Sequence, residues 1–76
     1  PEVLSEGTRV RRGPDWQYDD QDGGAGNLGT VTESTAWSGV DNRGLRVKWD
    51  SESSNTYRWG YEEGGVAKFD LEVVGG

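Results

Sequence analysis

Leu45-Arg46-Val47-Lys48-Trp49 alternates apolar and charged side chains without a break, and Tyr57-Arg58-Trp59-Gly60-Tyr61 repeats the rhythm. A period of two puts Leu45, Val47 and Trp49 on one face of an extended strand and Arg46 and Lys48 on the other. No window repeats apolar residues at i, i+3, i+4, i+7 over three turns, so strands rather than helices must supply the core. The two alternating segments are joined by Asp50-Ser51-Glu52-Ser53-Ser54-Asn55, whose polar residues suit a hairpin, and the segments should pair antiparallel. Thr8–Arg12, Gly29–Ser34 and Phe69–Val74 are expected as three further strands. Gly13–Leu28 and Ala36–Arg43, rich in Gly, Asp and Asn, are expected as loops. Glu62–Lys68 has room for one helical or 3₁₀ turn. The expected fold class is all-β, a small SH3-like barrel of about five short antiparallel strands. An OB-type barrel is the structural alternative, but it calls for longer strands and a helix. Residues 1–6 are read as an N-terminal flank, 7–74 as the barrel, and 75–76 as a frayed C-terminal linker.

Composition then narrows the function. The 76 residues contain no Cys and no His, so disulfides, thiolate or imidazole metal sites and Cys- or His-based nucleophilic catalysis lack their side chains. No cofactor, metal or catalytic residue is assigned. Fourteen acidic against eight basic residues give a net charge of -6, which repels a phosphate backbone, so nucleic acid is not the expected partner. No apolar run approaches the ~18 residues of a membrane span, and no basic-then-apolar leader opens the chain. An intracellular location, cytoplasmic or nuclear, is the expectation. Four Trp, three Tyr and one Phe are more aromatic surface than so small a barrel can hide, which leaves some rings for a ligand.

Gly24-Ala25-Gly26-Asn27-Leu28-Gly29 spells G-x-G-x-x-G. A dinucleotide site would need an apolar strand before it and a helix after it. Instead Asp15, Asp19, Asp20 and Asp22 precede it, and the β-prone Thr30-Val31-Thr32 follows. An EF-hand beginning at Asp20 fails at Ala25 and Val31, where Gly and Glu are required. Against an irregular cation site at the four aspartates stands the simpler reading of a turn, in which Asp20 or Asp22 accepts loop N–H bonds.

With those segments in view, the chain resembles the MIB domain of Mind-bomb and Herc-type E3 ubiquitin ligases. The resemblance rests on Arg9, Val10, Arg12, Gly13, Asp15 and Trp16, then Asp20-Gln21-Asp22-Gly23-Gly24 with Gly26, then Trp49-Asp50, Asn55, Tyr57, Arg58 and Gly60, and finally Lys68-Phe69-Asp70-Leu71. It implies an SH3-like barrel without catalysis of its own that recruits substrates or partners. Tyr18 stands where a Trp is frequent in the family, and the stretch Gly60–Leu71 is longer than the usual ending.

Trp49, Tyr57 and Trp59 share the inward parity and are expected in the core. Arg58, on the opposite parity, is expected to be a structural partner for an Asp such as Asp15 or Asp22. Arg9, Arg11 and Arg12 read as a solvated basic strand face. Trp16, Tyr18 and Trp37 lie in loops, either as a packed lid or as a ligand platform. The expected partner-binding set is Trp16, Tyr18, Asp19, Trp37, Asp41 and Tyr61, taking a basic protein or peptide ligand on a monomeric domain. The functional alternative is a methyl-lysine or histone-tail reader with a cage built from Trp16, Tyr18, Tyr61 and Asp19.

Overall fold

A computed structural model describes residues 2–75, so Pro1 of the flank and Gly76 of the linker lie outside it. Six strands run β1 (Arg9–Arg12), β2 (Gly29–Trp37), β3 (Val40–Trp49), β4 (Ser54–Glu63), β5 (Val66–Phe69) and β6 (Leu71–Val73), with no helix among the described residues. The strands form one antiparallel sheet in the order β5-β4-β3-β2-β1-β6. Its outermost strands are neighbours in sequence, separated by Asp70 alone. The sheet must therefore curl until its edges meet at that residue. The result is all-β and consistent with an SH3-like barrel, although no ladder joins β5 to β6. Among the described residues no helix is long and apolar enough to cross a membrane.

Three two- or three-residue turns set the meander. Ser38-Gly39 (φ 51° and 83°) and Gly64-Gly65 (φ 64° and 83°) have both central residues left-handed, the turn whose twist matches paired strands. Between β3 and β4, Trp49 N donates to Ser53 O (2.8 Å), and Glu52 takes φ 80° in a three-residue loop. These geometries correct two expectations. Ala36–Arg43 is mostly strand around one tight turn, and Glu62–Lys68 is a β-hairpin rather than a helical turn. The expected last strand is likewise divided at Asp70, which raises the count from about five to six.

Val10, Val31, Leu45, Val47, Trp49, Tyr57 and Leu71 form the buried core, with Leu4, Trp16, Tyr18 and Trp59 packed partly against it. Trp49 and Tyr57 are core as expected, and Trp49 Nε1 donates to the Tyr57 hydroxyl at 2.8 Å. Trp59 is only half-buried. A bulge between Trp59 and Tyr61, with Gly60 at φ 73°, breaks the parity there. Trp59 packs edge-on against Phe69 (5.0 Å), and its Nε1 donates to Glu2 O (2.8 Å).

Candidate functional site

The long loop between β1 and β2 lies against the barrel through its aromatics. Trp16 stacks on Tyr57 (centroids 5.1 Å, 29° between planes) and meets Trp49 edge-on. Tyr18 meets both Trp16 (5.2 Å) and Tyr57 (5.1 Å) edge-on, the geometry aromatic quadrupoles favour. Polar bonds fix both rings. Trp16 Nε1 donates to Asp19 O (2.8 Å), the Arg12 guanidinium sits 5.3 Å from the Trp16 ring centre, and Tyr18 Oη donates to Asp70 Oδ2 (2.7 Å). Burial, then the Asp70 carboxylate, pushes the Tyr18 phenol up to about 12. Burial also raises Tyr57. Trp16 and Tyr18 remain half-buried, so each packs on the core with one part and faces solvent with another.

Two fully buried carboxylates anchor this surface, each held by an arginine. Asp70 accepts Arg58 Nη2 (2.7 Å), Arg58 Nε (2.9 and 3.0 Å), the Arg58 backbone N–H (2.8 Å) and the Tyr18 hydroxyl. Arg58 is itself 3% exposed, and the hydrogen bonds it donates to Asp70 raise its already high pKa. The expected pairing of Arg58 with an Asp is present, but the residue is Asp70. Neither the Asp15 nor the Asp22 carboxylate holds Arg58; Asp15 offers only its backbone carbonyl, to Nη2 at 3.1 Å. The Asp15 carboxylate instead accepts Phe69 N (2.7 Å).

Asp22 takes Arg12 Nε and Nη2, both at 2.7 Å, and the Gly24 N–H at 2.9 Å. Burial alone would raise Asp22, but the Arg12 bond and the Gly24 amide outweigh it and lower its pKa. The basic face expected at Arg9, Arg11 and Arg12 is thereby neutralised, since Arg9 pairs with Asp50 (2.6 Å) and Arg11 with Glu72 (3.0 Å). Gly29 opens β2 rather than a helix, and the carboxylates of Asp15 and Asp22 are drawn to different partners. Among the described residues no three acidic side chains gather into a metal-holding group.

The six residues expected to bind a partner fall in three places. Trp16, Tyr18 and Asp19 share the long loop, with the Asp19 side chain exposed. Trp37 ends β2 opposite Val40, and Asp41 is exposed just across that turn. Tyr61 pairs with Lys68 beyond the bulge. Neither Trp37 nor Tyr61 is in ring contact with Trp16 or Tyr18. Beside the aromatic surface is a group that the sequence reading passed over. Gln21, Ser53, Ser54, Asn55 and Tyr57 line an open depression of about 100 Å³. Gln21 Oε1 accepts Tyr57 Oη (3.0 Å) and Asn55 Nδ2 (3.2 Å), while Ser53 Oγ donates to Gln21 O (2.8 Å). Asn55 carries the parity of Tyr57, which was the available signal for it.

Residues 7–75 match the family model described as Mib_herc2. The chain belongs to this family. Over 72 residues it is 51% identical to the E3 ubiquitin-protein ligase mind-bomb of Drosophila melanogaster, with 93% of this chain covered. It is 44% identical to the E3 ubiquitin-protein ligase HERC2 of Mus musculus, with 95% covered, and 36% identical to the E3 ubiquitin-protein ligase MIB2 of Gallus gallus, with 93% covered. The matched part is 6%, 1% and 8% of those proteins respectively. The Mib_herc2 domain is thus a small part of each ligase.

Proposed function

We propose that this Mib_herc2 domain is a non-catalytic protein-interaction module of an E3 ubiquitin ligase, acting as an intracellular monomer that recruits a substrate or partner through a peptide-binding face. The observation that carries this reading is the half-exposed Trp16–Tyr18 pair, held by the core and by Asp70, beside the exposed Asp19 carboxylate. Rigid aromatics contribute contact area at low entropic cost, and neighbouring carboxylates favour a basic ligand. A catalytic reading has little to work with. The chain has no Cys or His, and its two buried carboxylates, Asp22 and Asp70, are each bound to an arginine.

NMR titration with basic, aromatic-containing peptides tests the proposal. Shifts should centre on Trp16, Tyr18 and Asp19. Asp19→Asn keeps a residue that tolerates the φ of 51° and should weaken binding at unchanged melting temperature. Trp16→Ala should lower affinity and, because Trp16 also stacks on Tyr57, stability as well. Shifts centred on Arg9–Arg12, or an Asp19→Asn variant that binds as tightly as the parent, would remove this face from consideration.

A further inference from the structure

β4 is flanked differently along its length. Trp59–Glu63 pairs with β5, whereas Ser54–Arg58 pairs only with β3. In an antiparallel ladder, successive residues direct their N–H and C=O alternately toward the partner strand and away from it. Ser53 O accepts Trp49 N, so Ser53, Asn55 and Tyr57 face β3, and Ser54, Thr56 and Arg58 face the opposite side. The outward groups of Arg58 are used, its N–H by Asp70 Oδ2 and its carbonyl by Asp70 N (3.1 Å). Thr56 N is turned back onto its neighbour's Asn55 Oδ1 (2.9 Å). By the same alternation the Ser54 N–H and C=O and the Thr56 C=O point away from β3, and the pairing with β5 ends at Trp59. They mark the row that β5 would have continued along had the chain not turned at Asp70 to join β1 through β6.

The depression lies at this row, with Ser54 in its lining. Its lining residues are uncharged and rich in amide and hydroxyl groups. Gln21 uses its Oε1 internally, which leaves its Nε2 hydrogens for a ligand carbonyl. Asp20 and Glu52, adjacent in sequence to Gln21 and Ser53, carry side chains 83% and 80% exposed; each has one loose cationic neighbour, Arg12 at 3.4 Å and Lys48 at 3.3 Å, and exposed pairs of this kind exchange readily for a ligand cation. We propose that Ser54–Thr56 of β4 is a docking strip for the main chain of an extended, basic partner segment, which adds as a strand in line with β5. Backbone groups supply the affinity, the Gln21 amide fixes the register, and Asp20 and Glu52 select positive charge. A second copy of the chain is the wrong occupant, because each carries a net charge of -6. The outer row of β5 is a weaker candidate, since Asp15 already occupies both outward groups of Phe69. This inference rests on the reading that the domain binds polypeptide, but it assigns the main-chain contact to β4 rather than to the aromatic rings.

The test uses the whole chain, ¹⁵N-labelled, and an acetylated, amidated octapeptide of alternating Lys and Val. Saturation should shift the Ser54 and Thr56 amides and the Gln21 side-chain amide, and slow Ser54 hydrogen exchange by about tenfold or more. A fully N-methylated version of the peptide should bind about tenfold more weakly, since it lacks the paired donors. Ser54→Pro removes an N–H that the β3 ladder does not use, a position where proline is tolerated, and should lower affinity by about tenfold with the amide spectrum otherwise retained. If that variant fails to fold, exchange at Ser54 in the parent still decides. No binding at millimolar peptide, unchanged Ser54 exchange at saturation, equal affinity of the N-methylated peptide, shifts centred on Val66 and Ala67, or peptide-independent self-association would each overturn the proposal. Shifts at Trp16 and Tyr18 without protection of Ser54 would reject the strip and leave the aromatic face standing. Protection of Ser54 that is indifferent to Asp19→Asn would do the reverse.

Discussion

Asp70→Asn tests the tie between the two edges of the sheet. Asp70 is fully buried, and its two oxygens receive the Arg58 side chain and backbone N–H together with the Tyr18 hydroxyl. An amide can present oxygen at only one of the two positions; at the other, its NH₂ would face donors. Arg58, 3% exposed, would keep the single amide oxygen, the Asp15 carbonyl (3.1 Å) and the longer contact to Glu63 (3.3 Å), and its charge would lose its buried counterpart. Breaking a buried pair from one side costs about 3–5 kcal/mol. A domain of this size has about 4–11 kcal/mol in total, so most of its stability is at stake. Urea denaturation followed by tryptophan fluorescence should show that loss, and the melting temperature should fall by more than about 12 °C. Adding Arg58→Met removes the stranded charge and should recover about 1–3 kcal/mol of the loss. A cost below about 1 kcal/mol for Asp70→Asn, or a double variant no more stable than the single, would refute the argument.

Gly13→Ala and Gly24→Val probe two different roles for glycine. A Cβ at Gly13 would lie 2.6 Å from the Leu71 backbone and must push β6 away, costing about 1–3 kcal/mol or more, whereas Gly24 has open space but φ +114° and should lose about 1–3 kcal/mol from backbone strain alone. Urea titration of both variants, with amide shifts at Leu71 moving only for Gly13→Ala, checks the distinction. Toward acid, Asp22 has a pKa lowered in the folded state, so its contribution is complete above about pH 4, where the unfolded carboxylate titrates, and is lost as pH falls through the lower folded value. Asp22→Asn should flatten that part of a stability-versus-pH curve. Toward alkali the sign reverses. The Tyr18 phenol is raised to about 12, so its contribution holds below about pH 10 and disappears as pH rises through the folded value; Tyr18→Phe should remove that limb, and phenolate absorbance should show the missing late titration.

Where local pattern decides structure, the sequence was legible. The alternation in Leu45–Trp49 and the parity of Tyr57 identified core residues correctly, because a half-buried strand shows its faces in every second residue. It misled where two readings share one composition. Gly39, Asp41 and Asn42 are turn formers, but only Ser38-Gly39 turns, and Asp41 and Asn42 continue β3, with Asn42 at φ 62°. Arg58 shows the deeper limit. Its parity pointed away from the core, as alternation requires, but the chain folds back over that face and buries it against Asp70, 12 residues on. Long-range closure of this kind leaves no trace in the flanking residues. At the candidate site, Trp16, Tyr18 and Asp19 were visible as loop residues that a barrel need not contain. The polar depression was not, because Gln21 and Asn55 become neighbours only when the long loop meets the β3–β4 turn.

The pairing of β1 with β6 also governs how the domain sits in a longer polypeptide. Val74 N bonds to Arg9 O, and Arg11 lies opposite Glu72, so the chain enters and leaves at one end of the same two-stranded ladder. Such a unit can be spliced between two segments without displacing them, like a loop drawn out of a thread. It also sets the response to tension. A pull on the flanking chain would first free Glu2 and Leu4 from Trp59 and the core and break the Gly7 and Thr8 bonds to Val31, and would then load the β1–β6 hydrogen bonds one after another from the Arg9–Val74 end, in peeling rather than in shear.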